Sequence, residues 1–508
     1  MAGHRRIVAM NTRPLIRVAG TALLALLLHA PAQAAETRPG LKPCRLQGVE
    51  HEAWCGQLRR PLDPAQPQGT QIDIQYAVLP ALARNRKPDP VMFFAGGPGQ
   101  SAMALAGTVS RMLARLGNRR DIVLIDQRGT GRSAPLLCKE PLPTAAMADG
   151  VDPARQIARL QACQSELQKL PYGDLRHFTT WVAMQDADAV RQVLGATKVN
   201  LVGGSYGTRA ALDYLRQFPQ AVRRVVIDGV APPDMVLPAS FSTDNQAALD
   251  ATFSACEADA TCRQRHPSLR ADWQRLLASL PREVRVLHPV TGTPEHLNIT
   301  RDWVLGLARV PLYAPILASA LPQALAEAAQ GRFEALVGLA TAIGRGRNTQ
   351  LAEGMHFSVV CAEDLPGLAQ ASDMPGVDYG DSFAAQYRRV CATWPRGTVP
   401  AQFYKMAPTP VAALLLSGGA DPVTPPRHGE RVAMALGAKA RHVVVPQAGH
   451  GVMSLGCMRD VIFRFIDADT DEAALKLDAD CARQIPRPAP FAPVLPSSGP
   501  SLGLETPR

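Results

Sequence analysis

The segment that most constrains the fold of this chain is Lys198–Arg209, which reads KVNLVGGSYGTR. Val199–Val202 is an apolar run that predicts a buried strand, and Thr208–Phe218 has a composition that favours a helix. Glycines 203, 204 and 207 surround Ser205 at the turn between them, in the pattern G-x-S-x-G. In this pattern the glycines permit a strained turn that raises the serine hydroxyl above the edge of a sheet. The alternative is an ordinary glycine-rich turn with an incidental serine.

The chain on both sides of this segment alternates between strand patterns and helix patterns. The predicted strands are Gln71–Leu79, Val91–Phe94, Asp121–Ile125, Arg224–Asp228, Ala412–Ser417 and Arg441–Val445. Helical patterns lie between several of them, for example Trp181–Leu194. Strands that alternate with helices predict an α/β fold with a doubly wound, mostly parallel sheet.

Helical patterns dominate a middle segment, residues 232–406. They predict a helical cap inserted between two parts of the sheet, which span residues 35–231 and 407–483. Seven prolines between Pro486 and Arg508 predict a disordered or extended tail over residues 484–508.

The N-terminus, residues 1–34, has the pattern of a secretory signal peptide. Four arginines precede the apolar run Val18–Leu28, and the small-residue sequence Ala32-Gln33-Ala34 follows it. The run is shorter than the ~20 residues of a membrane span, so we expect no span here. A buried first helix is the alternative. The pattern favours export to the periplasm or the extracellular space.

Ten cysteines behind a signal peptide indicate an oxidising compartment and disulfide bonds. Sequence alone leaves their connectivity open, and we predict pairing of neighbours along the chain. The predicted pairs are Cys44 with Cys55, Cys138 with Cys163, Cys256 with Cys262, Cys361 with Cys391, and Cys457 with Cys481. Zinc is the alternative, but no C-x₂-C spacing occurs, and His266 near Cys262 lacks a second pair of ligands. We expect no metal and no cofactor.

A nucleophilic role for Ser205 requires a general base and an acid that orients it. In a fold of this kind the chain order is serine, acid, histidine, with the last two at the ends of late strands. Asp421 follows the strand Ala412–Ser417, and His450 follows the strand Arg441–Val445. We therefore predict a triad of Ser205, Asp421 and His450. A turn-forming role for Asp421 and a structural role for His450 are the alternatives; His428 and His442 lack the strand-end position.

An oxyanion hole also requires backbone donors near the serine. The amide of Tyr206, the residue after the serine, is one expected donor. The other comes from the loop after an early strand, for which we favour Gly97 in Ala95-Gly96-Gly97-Pro98-Gly99. A tight turn without this function is the alternative.

Five stretches together resemble α/β-hydrolase peptidases, in particular secreted tripeptidyl aminopeptidases and prolyl aminopeptidase. They are FFAGGPGQSA (Phe93–Ala102), DQRGTGRS (Asp126–Ser133), GGSYGTR (Gly203–Arg209), SGGADPVTP (Ser417–Pro425) and AGHG (Ala448–Gly451). The resemblance spans roughly Cys44 to Cys481 and includes a tripeptidyl-aminopeptidase-like C-terminal domain. It departs at Ala95, where many relatives have histidine. It implies that Arg128 supports the oxyanion loop.

The resemblance implies acyl transfer from peptides with a free amino terminus. Such enzymes need an anionic anchor for the amine, for which Glu363 and Asp364 are candidates; a solvated or capping pair is the alternative. A carboxylesterase acting on small esters and a catalytically silent binding protein are the alternative functions. Without its signal peptide the chain loses four arginines, and its net charge falls from +10 to +6. That charge, without basic runs interleaved with aromatic residues, indicates no nucleic-acid partner. The sequence does not fix the oligomeric state.

Overall fold

A nine-stranded sheet forms the framework of the protein in the computed structural model, which describes residues 38, 40–342 and 351–493. The strands in these residues are β1 (Lys42–Cys44), β2 (Ala53–Pro61), β3 (Gln71–Leu79), β4 (Val91–Phe94), β5 (Ile122–Ile125), β6 (Val199–Gly204), β7 (Val222–Asp228), β8 (Arg282–Leu287), β9 (Pro294–Ile299), β10 (Ala412–Gly418) and β11 (Ala440–Val445).

The sheet has the order β1-β2-β3-β5-β4-β6-β7-β10-β11. Strands β1, β2 and β3 pair antiparallel, and β3 pairs antiparallel with β5. From β5 to β11 all neighbours are parallel, so their carboxyl ends share one edge of the sheet. The predicted mostly parallel α/β sheet is confirmed.

Helices cover both faces of this sheet. In the described residues they are α1 (Ala106–Met112), α2 (Ala114–Gly117), α3 (Ala148–Val151), α4 (Pro153–Leu167), α5 (Thr180–Val193), α6 (Tyr206–Gln217), α7 (Leu237–Ala258), α8 (Ala260–Arg265), α9 (Leu269–Ala278), α10 (Arg301–Leu312), α11 (Pro315–Ala318), α12 (Leu321–Ala329), α13 (Glu334–Ala342), α14 (Glu353–Glu363), α15 (Ser382–Cys391), α16 (Pro426–Leu436), α17 (Met458–Asp467) and α18 (Asp471–Leu475).

Strand β4 shows how the sheet divides the core. Met92 and Phe94 pack on one face with residues of α5, α6 and α16, whereas Val91 and Phe93 pack on the other with residues of α1 and α17. Successive side chains of a strand point to opposite faces, and here both faces are buried. Strands β4 and β5 are therefore apolar along their whole length rather than alternating.

The segment between β7 and β10 forms helices α7 to α15 and a hairpin of β8 and β9. It has a core of its own around Trp273, Leu305 and Phe333. A short hairpin of β8 and β9 accompanies the helices that the sequence predicted to dominate this segment. Its strands bury only scattered residues such as Val286 and Leu297, and this gives a weak alternation signal in the sequence.

Five disulfides join the cysteines in the predicted neighbour pattern. The bonds are Cys44–Cys55, Cys138–Cys163, Cys256–Cys262, Cys361–Cys391 and Cys457–Cys481. Their Cα–Cα distances, 5.1 to 6.5 Å, lie in the usual range. Each bond restricts the conformations available to the unfolded chain. Cys361–Cys391 also joins α14 to α15.

Both ends of the chain extend beyond the described residues. The predicted signal peptide, residues 1–34, and residues 494–508 of the predicted tail lie outside them. Residues 485–493 of this tail form neither helix nor strand, and the Phe491 amide donates to the Ser319 carbonyl at 2.8 Å. Arg265 also donates to the Pro493 carbonyl. None of the described helices has the length and apolar character needed to cross a bilayer.

Candidate active site

Ser205 lies at the turn from β6 into α6 with strained backbone angles, φ 56° and ψ −127°. A positive φ is uncommon for a residue with a side chain and persists only where surrounding contacts impose it. The Ser205 amide donates to the Asp228 carbonyl at 2.8 Å. The Ser205 carbonyl accepts from the Thr208 amide and from Thr208 Oγ1, at 2.9 and 2.6 Å. These bonds hold the serine at the carboxyl edge of the sheet.

Two glycines of the motif are required by close backbone approach. A Cβ at position 203 would lie 2.3 Å from the Gly207 carbonyl oxygen, and one at position 207 would lie 2.1 Å from the Phe94 carbonyl oxygen. Neither neighbour is a flexible side chain, so no larger residue fits without moving the backbone. The G-x-S-x-G spacing thus follows from how tightly β6, α6 and β4 meet.

Asp421 and His450 follow β10 and β11, and the structure brings their side chains together. His450 Nδ1 lies 2.8 Å from Asp421 Oδ2. Asp421 also accepts from the amides of Val423 and Thr424, each at 2.9 Å, and from Thr424 Oγ1 at 2.8 Å. Burial opposes ionisation of Asp421, but His450 and these donors hold the pKa of the carboxyl below its usual value.

The electrostatics favour a histidine that accepts protons readily. Burial acts to lower the pKa of His450, but the charges of Asp421 and Asp228 outweigh it and raise the pKa above the usual value. Because Nδ1 is bonded to Asp421, Nε2 is the nitrogen left for exchanging protons with a reacting group.

Asp228, the last residue of β7, connects the serine turn with the histidine loop. Its carbonyl accepts from the Ser205 amide, and its Oδ2 accepts from the amides of Val452 and Met453 at 2.6 and 2.8 Å. Burial raises the pKa of this carboxyl to about 6, although the two amides oppose the rise. The charge of Asp228 also acts on the ring of His450.

We expect Asp228→Asn to shift the acid limb of the kcat/KM–pH profile to lower pH. The substitution removes a negative charge that raises the pKa of His450. The pKa of the ring therefore falls, and the neutral imidazole that a general base requires persists to lower pH. The pH profile of hydrolysis measures this directly. Asp213→Asn is the matched control, because Asp213 is equally buried but pairs with Arg216 on α6. An equal shift in both variants, or a shift to higher pH, contradicts this role.

The loop after β4 lies against the serine, where an oxyanion hole is expected. A Cβ at Gly96 would lie 3.1 Å from the Cβ of Ser205. Gly97 is exposed, with φ 113°, and Tyr206 is the first residue of α6. The loop therefore approaches the serine through Gly96, and the oxyanion roles of the Gly97 and Tyr206 amides stay a prediction.

Asp126 accepts hydrogen bonds from the segment that follows this loop. Its Oδ1 accepts from Ser101 Oγ at 2.6 Å and from the Met103 amide at 3.0 Å. Arg128, for which the resemblance implied this role, lies elsewhere. Its buried guanidinium pairs with Asp186 and donates to the Leu62 and His177 carbonyls. The aspartate of the DQRGTGRS stretch thus holds the segment that directly follows the loop, and its arginine does not.

The structure does not support Glu363 and Asp364 as an amine anchor. Both carboxylates are buried beside α6, with exposures of 2% and 0%. Asp364 pairs with Arg209 through two bonds of 2.9 and 3.0 Å, and Glu363 accepts from the amide and hydroxyl of Thr180. Burial raises the pKa of Glu363 to about 8, against the opposing charge of Arg209. The sequence indicated an acidic pair near a disulfide but not the arginine that covers it.

We expect Asp364→Asn to lower the free energy of unfolding by about 1.5–3 kcal/mol, because it removes the carboxylate that holds the buried Arg209 guanidinium through two bonds and leaves only Glu363, 3.5 Å away, to balance the charge. Urea unfolding of the oxidised protein measures the difference. Glu472→Gln breaks the Lys476–Glu472 pair, whose side chains are 76% and 75% exposed. We expect this control to change stability by less than about 1 kcal/mol. Equal effects of the two substitutions contradict the buried pair as a stabilising element.

Sequence reasoning missed two residues that position the histidine. One is Asp228, which looked like an ordinary strand end. The other is Tyr313, whose carbonyl accepts from the His450 amide at 2.9 Å and whose ring packs edge-on against the imidazole, with centroids 5.3 Å apart. Tyr313 lies far from the motifs in the sequence, and no local pattern marks it.

Known proteins resemble this chain across most of its length. The serine protease Hip1 of Mycobacterium tuberculosis is 26% identical over 430 residues, which cover 78% of this chain and 82% of the relative. A tripeptidyl aminopeptidase of Streptomyces lividans is 32% identical over 194 residues, 35% of each chain. The proline iminopeptidase structure from Mycobacterium smegmatis is 16% identical with a TM-score of 0.36, covering 82% of this chain and all of that one.

A family model described as the alpha/beta hydrolase fold matches residues 89–456, which contain Ser205, Asp421 and His450. These residues also contain every strand from β4 to β11. The chain belongs to the α/β-hydrolase family.

Proposed function

We propose that this chain is an exported serine peptidase that releases short peptides from free amino termini through an acyl-enzyme. The observation that carries the proposal is the 2.8 Å contact between His450 and Asp421, at the same sheet edge as the strained Ser205 turn. The names of the Hip1, tripeptidyl aminopeptidase and proline iminopeptidase relatives support peptides as the substrate class. The N-terminal signal pattern and the disulfides support export.

In the proposed reaction Ser205 Oγ attacks the carbonyl carbon of the scissile bond while His450 Nε2 takes the hydroxyl proton. Asp421 holds the ring in the tautomer with Nδ1 protonated and stabilises the imidazolium. The amides of Gly97 and Tyr206 donate to the oxyanion. His450 then protonates the leaving amine as the scissile C–N bond breaks. Water attacks the acyl carbon while His450 takes its proton, and His450 returns that proton to Ser205 Oγ as the acyl group leaves.

A carboxylesterase with the same triad is the second candidate. The burial of Glu363 and Asp364 favours it, because the acidic pair expected to hold a substrate amine is occupied by Arg209 and Thr180. The two candidates share the chemistry of Ser205 and differ in what the rest of the site binds.

Four substrates separate the candidates: Ala-, Pro- and Ala-Ala-Pro-p-nitroanilide, and the acetylated tripeptide. We expect the mature protein to cleave the free tripeptide and not its acetylated form. Ser205→Ala tests whether cleavage is due to this site, and Ser165→Ala, at an exposed serine of α4, is the matched control. Hydrolysis of p-nitrophenyl butyrate without amide cleavage would establish the esterase. Equal cleavage of the free and acetylated tripeptides would contradict dependence on a free amine.

A further inference from the structure

A groove lies between α10 and α15. Its cavity has a volume of about 390 Å³ and is lined on these helices by residues that include Asp302, Arg309, Phe383 and Arg389. Positions 302, 305, 306 and 309 of α10 face it, a spacing that places them on one side of the helix. Arg309 lies about 10 Å along the helix from Asp302.

One chain of contacts connects Arg309 with the histidine, and a second connects α15 with the oxyanion loop. On one side Arg309 Nη1 lies 3.4 Å from the Tyr313 hydroxyl, and the Tyr313 ring packs against His450. On the other side, Tyr387 of α15 lies 2.8 Å from His356 Nε2, and His356 Nδ1 lies 3.3 Å from the Pro98 carbonyl in the oxyanion loop.

The charge of Arg309 acts on this second chain as well. Burial raises the pKa of the Tyr387 hydroxyl, and the guanidinium of Arg309 is the largest influence that opposes this rise. Tyr313, directly after α10, therefore lies against the histidine, and Tyr387, in the middle of α15, is linked through His356 to the oxyanion loop.

Among the residues that the structure describes, Arg309 forms no ion pair, and the Tyr313 hydroxyl is its hydrogen-bond partner. Its Nε is buried with no hydrogen-bond partner, and its guanidinium lies 5.9 Å from the Tyr313 ring centroid and 5.4 Å from that of Phe383. Arg209, by contrast, pairs with the carboxylate of Asp364 through two bonds. A half-buried guanidinium that packs on aromatic rings and has N–H donors without partners is suited to bind an anion from solution.

We propose that Arg309 binds a carboxylate of the peptide substrate, so that this groove selects acidic peptides. A guanidinium binds a carboxylate through two parallel N–H donors, which a neutral amide or a hydrocarbon side chain cannot match. The carboxylate belongs either to an acidic side chain or to the free C-terminus of a short peptide. Asp302, at the other end of the lining, would disfavour a second acidic group there. This specificity rests on the proposed peptidase function.

Calorimetric binding to the full-length Ser205→Ala variant tests the proposal without depending on cleavage. The probes are Ala-Glu-Ala and Ala-Gln-Ala amides for the side-chain source, and Ala-Ala-Ala acid and amide for the C-terminal source. We expect the carboxylate member of one pair to bind about 10- to 100-fold more tightly than its neutral partner. Adding Arg309→Gln should abolish this ratio and leave the Kd of the neutral peptide unchanged, and Arg309→Lys should restore part of it.

Arg389→Gln is the matched control, because Arg389 lines the same groove and is exposed. We expect it to leave the ratio within about twofold. Equal binding of both members of both pairs would overturn the proposal, as would equal losses in Arg309→Gln and Arg389→Gln or an equal loss for neutral and acidic peptides. Acid-selective binding by a protein that hydrolyses only esters would refute the peptidase function while supporting the role of Arg309.

Discussion

Ser205→Ala is expected to reduce kcat on the preferred substrate by a factor on the order of 10⁶, the size of effect that loss of a triad nucleophile produces. No other hydroxyl occupies the strained turn between β6 and α6, and alanine retains the shape of the site without the attacking oxygen. Initial rates at saturating substrate measure the loss. Unfolding by urea should show similar stability in both proteins, since the bonds that hold the turn involve the backbone of residue 205.

Ser165→Ala, in the exposed part of α4, should retain the full rate. Residual activity of a few per cent in Ser205→Ala, above any contaminating hydrolase, would contradict the assignment of the nucleophile.

Asp421→Asn is expected to reduce kcat by a factor on the order of 10⁴ with little change in KM. An asparagine can turn an N–H donor towards His450 Nδ1, which stabilises the tautomer that carries its proton on Nε2. The ring can then no longer accept the serine proton. The bonds from Val423 and Thr424 to Oδ1 keep the residue in place, so the loss reflects chemistry and not folding.

Asp228→Asn tests whether Asp228, rather than Asp421, is the acid that orients His450. Asp228 is a second buried carboxylate at a strand end near His450, but its Oδ2 is occupied by the amides of Val452 and Met453. We expect its substitution to move the pH profile and to leave most of kcat intact at the optimum. A larger loss of kcat in Asp228→Asn than in Asp421→Asn would make Asp228 the orienting acid.

Much of the sheet was predictable because its signals are local. Strands such as Val91–Phe94 are continuous apolar runs, since both faces of the sheet are covered, and their sequence pattern does not depend on distant residues. The predicted ends of β3 and β4 coincide with those in the structure. The hairpin of β8 and β9 was not predicted from the sequence, because most residues of its strands are not buried.

Within the site, the residues at strand ends were predictable and the residues that support them were not. Ser205, Asp421 and His450 each follow an apolar run, so their position relative to the sheet can be derived from the sequence. Whether Glu363 and Asp364 could bind a substrate amine depended on Arg209, which is more than 150 residues away in the sequence. The same holds for Tyr313 and Arg309, whose relation to His450 arises only when α10 packs over the sheet edge. Tertiary contacts of this kind leave no periodic signal in the chain.

Covalent labelling with a fluorophosphonate tests the central claim most directly, because the reagent traps an activated serine whatever the substrate. Trypsin releases residues 199–209 as one peptide, in which Ser205 is the only serine. The account predicts a single adduct on this peptide, formed much more slowly in Asp421→Asn and absent in Ser205→Ala. An adduct on another serine, or continued peptide hydrolysis by a protein that remains unlabelled, would contradict it.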